Sequence, residues 1–118
     1  MKVYISADIE GITGTTVWSE TELNAPDYYQ FQQQMTKEVL AAIEGAVLGG
    51  ATESLLKDAH DSAQNILIEQ LPENVKIIRG WTQEPMCMVA GLDESFDRAI
   101  FIGYHSEGGS EKNPLAHT

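Results

Sequence analysis

The chain has 118 residues, 42% of them hydrophobic and 21% charged, which suits one small domain, residues 1–118, built around a single core. Seven Lys and Arg stand against 18 Asp and Glu, a formal charge of −11 that opposes nucleic acid and anionic membrane surfaces as partners and favours cations. Cys87 is the single cysteine, the start MKVYISADIE lacks a secretory leader's long apolar stretch, and no run approaches the roughly 20 apolar residues of a membrane span, so a cytoplasmic location is expected.

Val3 to Ile9 is predicted as a buried strand rich in β-branched residues, and Gly11 and Gly14 then permit a loop with unusual backbone angles. From Asp27, the apolar residues Tyr28, Phe31, Met35, Val39, Ala42 and Ala46 recur at three- and four-residue spacing. Gly49 and Gly50 follow as a stop, which predicts one long amphipathic helix with the aromatics in its core stripe. Glu53 to His60 is a second strand candidate, Asn65 to Leu71 a short helix, Val75 to Gly80 a third strand, Glu84 to Leu92 another helix, and Arg98 to His105 a fourth strand before the polar loop SEGGSEKNP. This alternation predicts an α/β fold, a mostly parallel sheet with flanking helices.

Ligands of open α/β sheets bind beyond the carboxyl ends of the strands, so a metal site is expected at that edge. The first predicted strand runs into Asp8 and Glu10, the second into Asp58 and His60, and the fourth into His105; the third ends on Gly80 and offers backbone only. A buried strand should not close on two carboxylates without a positive partner, because an unpaired buried charge costs several kcal/mol or more. Two residues apart, Asp8 and Glu10 would share a face on a continuing strand and grip one cation or two neighbouring ones. Carboxylates with imidazole suit Zn²⁺, with Mn²⁺ or Co²⁺ as substitutes. Asp58 is placed either as a further ligand or as the acceptor for a ligating histidine's second ring nitrogen.

Each residue alone has an ordinary reading: Asp8 and Glu10 as a solvated turn or helix cap, His60 and His105 as satisfied histidines. Their joint placement on separate strands at one edge is what favours a metal. GITG lacks the Lys-Ser/Thr of a phosphate loop and follows two carboxylates, so a nucleotide site is rejected. Cys87, among apolar neighbours, reads as a small core residue rather than a nucleophile. A phosphate-receiver module would need an Asp after the third strand, where Gly80 stands.

The residues Asp8-Ile9-Glu10-Gly11-Ile12-Thr13-Gly14, Asp58-Ala59-His60, Gly103-Tyr104-His105 and His117 resemble, in order and context, the N-terminal half of the two-zinc D-aminopeptidases. The resemblance implies Asp8 bridging two zinc ions, Glu10 and His60 on one, His105 on the other, and His117 as the catalytic residue. It implies metal-activated water attacking short peptides that begin with a D-amino acid, and a homo-oligomer. The family's second metal also uses a glutamate beyond Thr118, so the second zinc site is incomplete in this chain. The chain therefore looks like the N-terminal part of a longer metallopeptidase, or one piece to which a second chain supplies the remainder. The alternative is a non-catalytic metal-binding or assembly fragment of such an enzyme.

Overall fold

The computed structural model describes residues 1–117. The first apolar run forms β1 (Lys2–Ala7), the long periodic segment forms α1 (Tyr28–Leu48), and three further strands follow as β2 (Glu53–Asp58), β3 (Val75–Ile78) and β4 (Arg98–Ile102). All three strand pairings are parallel and the sheet order is β3-β2-β1-β4. The chain thus winds outward from β1 through β2 to β3, then returns to the other side of β1 for β4. The gap between the carboxyl ends of β1 and β4 is where the winding reverses, the position at which such sheets hold ligands.

Alternation along β1 sends Val3, Ile5 and Ala7 to one face. With Leu56 they share a core with the α1 stripe of Tyr28, Phe31, Met35, Val39 and Ile43. The helix ends where the Gly-Gly pair allows it. Gly50 takes φ +104, its amide donates to the Val47 carbonyl at 3.0 Å, and the Ala51 amide donates to Ala46 at 2.8 Å, closing the last turn. No helix among the described residues is long and apolar enough to cross a membrane.

The opposite face of the sheet is covered differently from expectation. The predicted helix over Glu84 to Leu92 is a single 3-10 turn at Cys87–Val89. Its carbonyls are taken by the sheet: the Ser6 hydroxyl donates to Met88 and the Tyr4 hydroxyl to Ala90, each at 2.7 Å. Cys87 is half-buried on that turn rather than inside the core. The predicted helix over Asn65 to Leu71 is likewise only a 3-10 turn at Ile68–Gln70. Its leading amides bond to side-chain oxygens, Asn65 and Ile66 to the Asp58 carboxylate and Leu67 to the Thr36 hydroxyl.

The strands also stop earlier than their apolar runs. β1 ends at Ala7, β2 at Asp58, β3 at Ile78 and β4 at Ile102, which leaves Asp8, Glu10, His60 and His105 one to three residues beyond the ladder. Backbone bonds carry the alignment past the strand ends: Asp8 N donates to Ile102 O at 2.8 Å, Ala59 N to Ala7 O at 2.8 Å, and Gly11 N to Gly103 O at 2.7 Å.

Candidate metal centre

Glycine makes the tips of β1 and β4 close enough to share a site. A Cβ on Gly11 would overlap the Tyr104 carbonyl oxygen, and one on Gly103 would overlap the Asp8 carbonyl while holding φ at +66. That contact sets Asp8 and Glu10 beside His105. Parallel pairing with β2 brings His60 in from the other side.

Asp8, Glu10 and His60 are 2%, 6% and 8% exposed. His60 Nδ1 lies 3.2 Å from Asp8 Oδ1 and 3.1 Å from Glu10 Oε1. His105 Nε2 lies 3.7 Å from Asp8 Oδ2, so the two oxygens of Asp8 face two different imidazoles. His117 returns on the following loop, with its Nε2 3.6 Å from Glu10 Oε1 and its ring stacked on His105, centroids 3.5 Å apart.

The second nitrogen of every imidazole is committed to a backbone carbonyl. His60 Nε2 meets Thr21 O at 2.7 Å, His105 Nδ1 meets Ser106 O at 2.7 Å, and His117 Nδ1 meets Leu115 O at 2.8 Å. A carbonyl only accepts, so each of these nitrogens carries a proton, and the opposite nitrogen is the one turned toward the carboxylates. This is how ligating histidines are held.

Electrostatics agree with that arrangement. Burial opposes charge on both partners, but the bonds between them dominate: His60 is raised to about 10 by Asp8 and Glu10, and Glu10 is lowered to about 2 by His60 and Asp8. Burial pushes the Asp8 carboxyl above its ordinary range. Glu10 Oε2 is buried and has no hydrogen-bond partner among the described residues, an orphan that a cation would satisfy. Two sets of three donors lie close enough to hold an ion, Asp8 with Glu10 and His60, and Glu10 with His105 and His117. Carboxylate and imidazole donors of this kind fit zinc.

Asp58 is not in either set. Its carboxylate accepts from Asn65 N at 2.6 Å, Ile66 N at 2.8 Å and Asn65 Nδ2 at 2.8 Å, while Asn65 Nδ2 also reaches His60 O at 2.6 Å. Neither of its two sequence-based roles is the one it fills: it organises the loop that carries His60.

Cavities open on both sides of Glu10. One of about 430 Å³ is lined by Trp18, Thr21, Glu22, His60, Asp61 and His117; another, of about 180 Å³, lies under His105, Ser106, Asn113 and Leu115. Trp18, which meets His117 edge-on at 5.4 Å, escaped the reading of the sequence. Its signal was a large aromatic in the polar loop after the first strand. Thr21 contributes through its backbone and left no signal.

A parallel α/β sheet whose switch point gathers two buried carboxylates and three oriented imidazoles defines an α/β protein with a candidate metal centre. The chain belongs to the D-aminopeptidase family, whose model matches residues 1–118. It is 34% identical over 118 residues to the D-aminopeptidase of Bacillus subtilis (strain 168), an alignment covering 100% of this chain and 42% of that protein. Among solved structures it is similar to the Zn-dependent D-aminopeptidase DppA from Bacillus subtilis, a self-compartmentalizing protease, with a TM-score of 0.93 and 33% identity over 100% of this chain and 42% of that one. The chain thus spans less than half the length of the relatives it matches.

Proposed function

We propose that this chain forms the N-terminal, metal-binding part of a zinc-dependent aminopeptidase acting on short peptides with an N-terminal D-amino acid. The observation that carries the reading is the orientation of His60, His105 and His117, each tied by one nitrogen to a backbone carbonyl with the other turned toward Asp8 or Glu10. Family membership and a Zn-dependent solved relative support the choice of metal and reaction.

In this reading Asp8, with Oδ1 beside His60 and Oδ2 beside His105, would be a ligand shared by two ions. Glu10 and His60 would complete the first position, and His105 would serve the second together with a carboxylate from the remaining length of a full protein. Zinc bound there supplies Lewis acidity toward a scissile carbonyl and toward water. His117, with Nδ1–H fixed on Leu115 and Nε2 turned toward Glu10, would take a proton from water or return one to the leaving amine at Nε2. The cavity bearing Glu22 and Asp61 suits the positive amino terminus of a peptide.

The single-domain reading of residues 1–118, a cytoplasmic location and a homo-oligomer belong to the same proposal. The self-compartmentalizing character of the solved relative supports the last. The test is hydrolysis by the full-length, zinc-loaded protein of paired dipeptides that differ only in a D- or L-residue at the amino end. Cleavage selective for the D-peptide, lost on chelation, is the expected result. Zinc uptake without hydrolysis favours the non-catalytic reading instead.

A further inference from the structure

A lysine in an interior parallel strand should be unfavourable, because both faces of such a strand are covered and a buried ammonium needs partners. Lys57 is in β2 between β1 and β3 and is 0% exposed. Its ammonium donates to Asp58 O at 2.8 Å and Gly80 O at 2.6 Å, and lies 4.6 Å from the centre of the Trp81 ring. Two carbonyls and an aromatic face therefore meet its three N–H bonds.

The Gly80–Trp81 corner in turn grips the loop after β2. Gly80 N donates to Ala63 O at 3.0 Å and the Trp81 indole N–H to Asp61 O at 2.5 Å. That loop needs an external hold, since Asp61 and Ala63 adopt left-handed φ of 44 and 55, which side-chain-bearing residues disfavour. His60 sits at its start.

We propose that Lys57 and Trp81 are positioning residues: Lys57 through Gly80, and Trp81 through its indole bond to Asp61, lock the strained turn at Asp61 to Ala63 and thereby aim His60 Nδ1 at Asp8 and Glu10. The inference rests on the metal-centre reading above, with His60 as a ligand. Asp58 and Asn65 brace the loop from within, and the Lys57–Trp81 clamp braces it from outside.

The test compares Lys57→Met, which keeps the chain length but removes the donors, with Trp81→Phe, which keeps a ring but loses the indole N–H. Val39→Ala, in the α1 core, controls for stability lost elsewhere. Zinc affinity by chelator competition and amide exchange over residues 59–66 are measured on the intact protein. At least about a ten-fold loss of zinc affinity in Lys57→Met, a smaller loss in Trp81→Phe and faster exchange in both are expected, the range seen when residues orienting a ligand are removed. Val39→Ala should lower the urea midpoint while keeping its zinc affinity. Wild-type affinity and unchanged exchange in both clamp variants, or an equal affinity loss in Val39→Ala, overturns the proposal. Should Lys57→Met fail to fold, Trp81→Phe decides by the same criteria. Failure of the unaltered protein to take up zinc would refute the metal reading itself, and exchange over residues 59–66 would then decide the clamp alone.

Discussion

His60 Nε2 meets the Thr21 carbonyl at 2.7 Å, and this one bond dictates which face of the imidazole looks at Asp8 and Glu10. His60→Ala removes the only imidazole in the first candidate triad. Zinc affinity at that position should fall by more than about 100-fold, beyond the loss seen when merely an orienting partner is changed. Zinc content after dialysis checks it, and unchanged content would remove His60 from the site.

The backbone crossing at the tips of β1 and β4 predicts opposite outcomes for two glycines. Gly103→Ala forces a side chain into the Asp8 carbonyl at a left-handed φ and should destabilise by about 2 kcal/mol or more, with weakened zinc binding. Gly45→Ala, inside α1 with open space around it, should stabilise by about 0.5–1 kcal/mol. Urea denaturation of the two variants makes the comparison.

The His60–Glu10 pair gives the metal-free protein a defined pH response. His60, raised from 6.5 to about 10, contributes stability that is full below 6.5 and lost as pH rises through about 10. Glu10, lowered from 4.5 to about 2, contributes stability that is full above 4.5 and lost as pH falls through about 2. The pair therefore stabilises most between those ordinary values. Zinc must displace the His60 proton, so its affinity should climb with pH across the neutral range and binding should release a proton. Calorimetry in buffers of different ionisation enthalpy measures that release, and none would contradict the assignment.

Asp58 supplies a third contrast. Asp58→Asn places an amide against three donors and should cost about 2–3 kcal/mol, since bonds to a charged acceptor are lost in a buried place. The folded variant at saturating zinc should still bind the full complement, which a ligand's removal would not allow. Thermal melts and zinc stoichiometry separate the two roles.

What was legible in the sequence follows from what periodicity encodes. Four short strand-length segments and one 3.6-residue stripe announced the strands and α1, and parallel order placed Asp8, Glu10, His60 and His105 at one edge. The segments around Ile68 and Cys87 carried helix-like apolar patterns, yet their backbone groups bond to Asp58, Thr36, Ser6 and Tyr4, partners distant in sequence. Asp58 looked like a ligand because spacing alone does not say which carboxylate turns inward. Lys57 read as an ordinary polar strand position, although its place in the run SLLKDAH was the available clue.

The convergence of Asp8, His60 and His105 on bound metal is tested most directly by crystals of the zinc-loaded protein measured at the zinc absorption edge. An anomalous peak about 2.0–2.2 Å from His60 Nδ1 and from oxygens of Asp8 and Glu10, with a second beside His105 Nε2, is the expected result. Peaks only elsewhere on the molecule, with those side chains still paired to one another, would contradict it.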